Sequence, residues 1–394
     1  MLHMASRNRL FQAFSNLNLK AKRLTNLGSR SSASPTRSTS ATTSPVTTAP
    51  AKQHSTMAPS NKAAKLSEPR AHPMVVESTP YPTVAAGEII VKVAATAVNP
   101  MDWYIQLLGE KLFSWLQYPY VGGSDVAGDV VEVGPNVTKV KVGDRVLGLA
   151  AGFAPKNGGF QEYVVLEAAV VAPIPAHLPY ADAAVLPLGL STAACGLYQK
   201  DFLGLDFPTL NPKPNGKVVL IWAGASSVGT NAIQLAVASG YEVITTSSPP
   251  NFGHCKSLGA SHVFDYKSST VVQDVLDVIK GKECVGGYAI QPGSDKPVFE
   301  IISKAEGRKF VACAMQVQDP PAGIEAKMVF GSTLKENEVG PAIYDHFLPA
   351  ALAQKKYQCV PKPVIVGHGL EHIQTAVDKG KSGGASCQKL VVTL

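Results

Sequence analysis

Short β-branched runs open the patterned part of the chain. Glu88-Ile-Ile-Val-Lys-Val-Ala-Ala95, Asp129-Val-Val-Glu-Val-Gly134, Arg145-Val-Leu-Gly148 and Gln161-Glu-Tyr-Val-Val-Leu166 are separated by Gly, Pro and Asp turns. Several short strands spaced in this way predict a β-rich, barrel-like first domain. Near Leu186 the rhythm changes. Residues 181 to 200 read as a helix, and Lys217-Val-Val-Leu-Ile-Trp222 reads as a buried strand running into a glycine loop and a helix over 231 to 238. A strand over 241–246, a helix over 252–258, a strand over 262–266, a helix over 271–279 and a strand over 310–314 follow. Strands alternating with helices of this length mark βαβ units and a parallel, doubly wound sheet.

The strand-to-helix turn Ala223-Gly-Ala-Ser-Ser-Val-Gly229 is the strongest local signal. Glycine lets the backbone turn tightly and approach a pyrophosphate, whose charge then rests at the helix N-terminus. Gly224 and Gly229 match the outer glycines of the dinucleotide fingerprint, Ser226 stands at the middle one, and Ala225, Ser227 and Val228 complete the candidate loop. Such a loop alone is a weak signal; its place among βαβ units strengthens it. A site for NAD usually carries an acid about 20 residues on, to bind the ribose 2′-hydroxyl. Here the second strand ends in Ser247-Ser-Pro-Pro-Asn251. Hydroxyls and an amide can donate to a 2′-phosphate that a carboxylate would repel. With Lys256 and Tyr266 downstream, Ser247, Ser248 and Asn251 point to NADPH; the two serines forming only a turn is the alternative.

Length suits two domains, and 45% apolar with 16% charged residues is ordinary for a globular enzyme. The charge is uneven. Residues 1 to 67 hold ten Lys or Arg and no acid, so 36 − 10 = 26 bases against 29 acids leave the rest at −3. Nucleic acid is therefore not an expected partner. The apolar stretch 218 to 225 is too short for a bilayer, and no membrane span is expected. Residues 1 to 56 read as a leader: Arg- and Ser-rich, acid-free and amphipathic around Leu10, Phe11, Phe14, Leu17 and Leu24. That is the composition of a mitochondrial transit peptide. The equal alternative is translation from Met57, which implies the matrix in one case and the cytoplasm in the other. The six cysteines form no CxxC pair, which speaks against a zinc knuckle or redox dithiol.

Read together, these residues resemble the medium-chain dehydrogenase/reductase superfamily over roughly residues 60 to 394. The motifs that carry the likeness, in order, are Ala97-Val-Asn-Pro-Met-Asp-Trp103, Gly123-Ser-Asp-Val-Ala-Gly128, Val142-Gly-Asp-Arg-Val146, Gly159-Phe-Gln-Glu-Tyr163, Leu188-Gly-Leu-Ser-Thr-Ala193 and the glycine loop. Ser257-Leu-Gly-Ala260, Val263-Phe-Asp-Tyr266 and Lys389-Leu-Val-Val392 complete the series. Within the superfamily the chain is similar to a fungal zinc-independent branch that includes trans-acting enoyl reductases, with quinone oxidoreductases nearby. The resemblance implies an α/β chain with a GroES-like catalytic β-barrel over 57–186 and a Rossmann NADPH-binding domain over 187–340. Residues 341–394 would return to the catalytic domain.

The same resemblance places Asn99, Asp102 and Trp103 at the acceptor, with Pro100 and Thr192 on the nicotinamide side. Asn99 could donate its amide to an enolate oxygen; Trp103 could wall the pocket or simply pack. Zinc-dependent relatives place a Cys where this chain has Val98-Asn-Pro-Met-Asp102, and a Gly-His-Glu where it has Gly123-Ser-Asp125. No metal is expected, because a catalytic zinc needs three protein donors. One departure stands out: Tyr288-Ala-Ile-Gln291 replaces the Leu-Asp-Cys strand end common in the branch. The expected activity is hydride transfer from NADPH to an activated C=C bond of an enone or enoyl thioester. A quinone oxidoreductase and a non-catalytic NADPH-binding homologue are the alternatives. A homodimer and a carrier-protein or synthase partner are both left open by the sequence.

Overall fold

The computed structural model describes residues 60–317, 319–383 and 386–394; the leader, its transit-peptide reading and the Met57 start lie outside them. The N-terminal part is built from β1 (Asn61–Leu66), β2 (Val75–Thr79), β3 (Glu88–Ala97), helix α1 (Pro100–Leu108), β4 (Tyr120–Val121), β5 (Asp125–Val133), β6 (Arg145–Leu149), β7 (Tyr163–Glu167) and β8 (Val171–Pro173). β3 is its spine. It pairs antiparallel with β5 along its length and with β7 over its first half. Ile89, Val91 and Val93 pack with Val130, Val146, Val164 and Leu166, all buried. Removing each such side chain from water is worth about 1.5–3 kcal/mol, so this cluster alone justifies the strand's β-branched run.

Helix α2 (Pro187–Tyr198) then leads into β9 (Val218–Trp222), α3 (Ser227–Ala238), β10 (Glu242–Ser247), α4 (Phe252–Ser257), β11 (His262–Asp265), α5 (Val271–Ile279), β12 (Cys284–Ala289), α6 (Asp295–Lys304), β13 (Phe310–Cys313) and β14 (Glu325–Met328). The six strands are parallel in the order β11-β10-β9-β12-β13-β14. Numbered from β9, that is 3-2-1-4-5-6, the Rossmann doubly wound order, with its switch point between β9 and β12. The chain finally returns through β15 (Lys362–His368), α7 (Ile373–Lys381) and β16 (Gln388–Thr393). β16 inserts between β15 and the end of β3, closing the barrel sheet with residues almost 300 positions away.

The α/β class with a GroES-like part and a Rossmann sheet is thus as expected, while several elements differ in detail. The helix expected over 181–200 is broken at residues 184–186. Pro187 opens α2 at its first turn, where a missing N–H costs nothing, whereas it could not sit inside a longer helix. Strand β12, Cys284-Val-Gly-Gly-Tyr-Ala289, is fully buried at the sheet centre; only its end at Tyr288 was expected, from the resemblance, and two glycines in a strand interior weaken the local signal for the rest. β1, β2, β14, β15 and helices α1 and α6 were likewise not anticipated. By length and composition alone the stretch Tyr180–Tyr198 is apolar enough to cross a bilayer, but most of it is buried inside the protein and it is interrupted at 184–186, so it reads as a core segment.

Candidate functional site

The glycine loop sits at the carboxyl end of β9. Ser226 caps α3, its hydroxyl accepting the Gly229 N–H at 3.0 Å and donating to the Ala223 carbonyl at 2.7 Å. Ala223 is held in the left-handed region (φ 72°), which is costly for a residue with a Cβ. Gly229 is needed by close approach: a Cβ there would lie 2.2 Å from the Ala223 carbonyl oxygen. The Ser227 hydroxyl is buried without a hydrogen-bond partner and lies against Gly189 of α2. A helix N-terminus with a spare buried hydroxyl suits a phosphate or pyrophosphate.

At the end of β10 the side chains engage each other rather than an acid of that strand. Ser247 is buried and its hydroxyl meets the Ser248 carbonyl at 3.1 Å. The Asn251 amide donates to Ser248 Oγ at 3.1 Å and to Ser386 Oγ, from the C-terminal return, at 3.3 Å. Lys256 lies on α4, where its neighbour Cys255 bonds Ser247 and burial pushes that thiol up to about 11. Tyr266 follows Asp265, which is in register with Ser247, and is 44% exposed. Farther along the carboxyl edge, Ala289, Gln291, Ser294, Asp295, Cys313 and Met315 line a cavity between β12 and β13. Open α/β sheets bind ligands in this crevice outside the strand ends. The departure at Gln291 therefore falls on a site wall.

The barrel contributes a buried charged cluster. Asn99 is the N-cap residue of α1, in a capping box with Asp102. Its Nδ2 donates to Asp125 Oδ2 at 2.7 Å and its Oδ1 accepts from Lys389. Lys389 also meets Asp125 Oδ2 at 2.9 Å, with the two side chains 4% and 0% exposed. Asp125 Oδ1 accepts the Leu188 N–H at 2.6 Å. Asp102, at the third position of α1, accepts the N–H of Asn99 at 2.7 Å and of Gly123 at 3.1 Å. Burial pushes the Asp102 carboxyl up to about 7, against those two donors and the Lys389 charge, with Asp125 adding repulsion. Pro100 is exposed at the first position of α1.

A model of the alcohol dehydrogenase GroES-like domain matches residues 85–176. Dehydrogenase azaJ of Aspergillus niger is 47% identical over 332 residues, 82% of this chain and 95% of its own. The chain belongs to the medium-chain dehydrogenase/reductase superfamily. Other relatives are the zinc-binding alcohol dehydrogenase domain-containing protein cipB of Emericella nidulans (43% identical, 85% of this chain and 98% of its own) and the trans-enoyl reductase himH of Aspergillus japonicus (40%, 78% and 90%). A crystal structure of an alcohol dehydrogenase superfamily protein from Novosphingobium aromaticivorans superposes with a TM-score of 0.69 at 25% identity, covering 85% of this chain and 99% of that one. As a medium-chain dehydrogenase/reductase, the protein is an oxidoreductase that uses a nicotinamide cofactor, and the α3 N-terminus with its orphan Ser227 hydroxyl fits one.

The structure brings most of the expected residues into two groups. Gly224 to Gly229, Ser247, Ser248 and Asn251 gather along the carboxyl edge, and Asn99 with Asp102 gathers at Asp125. Thr192 lies between them on α2, its hydroxyl turned back to the Leu188 carbonyl at 2.7 Å and its own carbonyl taken by Tyr288 at 2.6 Å. Trp103 is half-buried on α1; its ring is tilted 35° to that of Tyr104, with centroids 3.8 Å apart, and lies near Gly380 of α7 at the edge of the satellite core. Sequence reasoning missed Asp125, Lys389 and Ser386 as members of the site. Asp125 sits inside the quoted Gly123-Ser-Asp125 motif. Lys389 carried a signal too, as a lone cation beside the apolar Leu390-Val-Val392 run of the terminal strand.

Proposed function

We propose that the chain is a zinc-independent, NADPH-dependent reductase that delivers hydride to an activated C=C bond of an enone or enoyl thioester. The observation that carries this reading is the Asn99–Asp125–Lys389 cluster. The segments where zinc-dependent members hold a Cys and a Gly-His-Glu here supply an amide and a carboxylate already neutralised by an ammonium. A second cation beside Lys389 would meet repulsion, and among the described residues no three His, Cys, Asp or Glu side chains gather to hold a metal. The end of β10, furnished with Ser247, Ser248 and Asn251, supports NADPH over NADH.

The residues divide the work. α3 receives the pyrophosphate, while Ser248, Asn251, Lys256 and Tyr266 face the adenosine side and its 2′-phosphate. Bound there, NADPH supplies the hydride. Asn99 has a second amide hydrogen beyond the one given to Asp125, and it stabilises charge developing on the acceptor carbonyl oxygen. A single oriented donor of this kind is worth about 10²–10³ in rate. The name trans-enoyl reductase carried by himH supports an enoyl acceptor, which as a thioester would arrive on a carrier protein or synthase.

Stopped-flow oxidation of NADPH and NADH with a panel of enones, enoyl thioesters and quinones tests the reading, alongside elemental analysis. The expected result is NADPH oxidation by enones or enoyl thioesters, weaker use of NADH, and no stoichiometric zinc. Turnover confined to quinones would move the assignment, and one zinc per chain would overturn it; the name of cipB makes the metal analysis a necessary control.

A further inference from the structure

We propose that Asp125 and Lys389 are positioning residues that fix which way the Asn99 amide faces, leaving one N–H available for the acceptor. The idea rests on the reductase reading above and extends it to two residues outside the cofactor loop.

An asparagine side chain is nearly symmetric in shape, so its neighbours decide where the oxygen and the nitrogen point. Here they decide without ambiguity. A lysine ammonium has donors only and can meet only Oδ1. An ionised carboxylate has acceptors only and can meet only Nδ2. Both partners are present, on opposite ends of one amide. Turning Asn99 over would set its NH₂ against the ammonium and its oxygen against the carboxylate, two repulsions at hydrogen-bond distance. Asn99 and Lys389 are each 4% exposed and Asp125 is 0%, so water is not there to screen the difference or replace a partner.

The cluster joins three distant pieces of chain. Asn99 lies between β3 and α1, Asp125 opens β5, and Lys389 rides on β16. The other Asp125 oxygen holds the Leu188 N–H in the first turn of α2, one turn before Thr192. One carboxylate therefore sets both the Asn99 amide and the helix that leads to the nicotinamide side. Buried ion pairs are poor stabilisers relative to apolar packing of the same volume. Orientation is the specific product of this one.

The test compares Lys389→Gln, Lys389→Arg and the neutral pair Asp125→Asn/Lys389→Gln with the wild type in the full chain. A single neutralisation strands a buried charge and can disturb folding, so the double variant, which strands none, is the decisive protein. With it, kcat is expected to fall about tenfold or more, since a misdirected donor forfeits part of the 10²–10³ such a group contributes. The NADPH Kd and the melting temperature should stay near the wild type. Lys389→Arg, which keeps the donors and charge, is expected to recover most of kcat.

A double variant with wild-type kcat would overturn the proposal, and so would a loss of kcat matched by an equal loss of NADPH affinity. A second readout needs no turnover. The side-chain amide protons of Asn99, assigned by NMR against Asn99→Asp, should be widely separated and slow to exchange in the wild type, and should move toward ordinary amide positions in the double variant. Unchanged signals would overturn the positioning role. A wild type that transfers hydride from NADPH to none of the enones, enoyl thioesters or quinones would instead sink the reductase reading, with the amide signals still judging orientation.

Discussion

At the residue scale the chain makes sharp commitments with single side chains. Asp102 is one. Its carboxyl ordinarily titrates near 3.8, and burial in the folded protein moves it to about 7. An acid whose folded value lies above its unfolded value binds the proton more tightly in the native state. Stability contributed by the protonated form is therefore full below about pH 4 and is lost as pH rises toward 7, by on the order of a few kcal/mol, with no further loss above. Asp102→Asn should be less stable near pH 4, because one of two N–H groups loses its acceptor, and its melting temperature should decline less between pH 4 and 7, narrowing or closing the gap. Parallel curves for the two proteins would show that Asp102 does not titrate in that window. Ser248 is a second such position. Ser248→Asp places a carboxylate where a 2′-phosphate would rest, and should weaken NADPH binding about tenfold or more while leaving NADH nearly unchanged, as measured by titration calorimetry.

At the element scale, the β9–loop–α3 unit was legible because its signals are local. A buried five-residue strand, small residues and a helix follow one another within 21 positions, 218 to 238, and the chemistry of each is complete in itself. The capping of α3 by Ser226 extends the helix four residues ahead of the expected start at 231. Ser226→Ala should cost about 1 kcal/mol, seen as a drop of a few degrees in melting temperature. Gly229→Ala is harsher, because the added methyl would meet backbone rather than a flexible side chain. It should weaken nucleotide binding more than Ser226→Ala does, and equal affinities would show that the loop tolerates opening. β12 was illegible for the converse reason. Its identity as a strand comes from being covered on both faces, and Gly286 and Gly287 give no local hint of that.

For the whole molecule, the decisive element is the last one. Leu390, Val391 and Val392 of β16 are 3%, 0% and 1% exposed, and each buried side chain is worth about 1.5–3 kcal/mol. Their sum rivals the 5–15 kcal/mol that holds an ordinary domain together. A chain ending at Ser386 would leave the end of β3, residues 95 to 97, without β16 and Asp125 without its cation. It should lose cooperative thermal unfolding, measured by circular dichroism, and its barrel should become sensitive to limited proteolysis. A truncated chain that melts like the full one would show that β16 is ornamental to the barrel.

Sequence by itself determined the two architectures, the position of the cofactor loop and the hydroxyl-rich end of β10, because strands, turns and helix caps are written in neighbouring residues. Tertiary structure alone decided the chemistry of the barrel side. Asn99 is separated from Asp125 by 26 positions and from Lys389 by 290; pairing of β3 with β5 joins the first two, and only closure of the sheet by β16 adds the third. It also set Trp103 near α7, a contact that the sequence left open. The physical reason is the same in both cases: which groups lose water together depends on how distant segments pack, and a buried charge or amide takes its role from whatever is buried beside it.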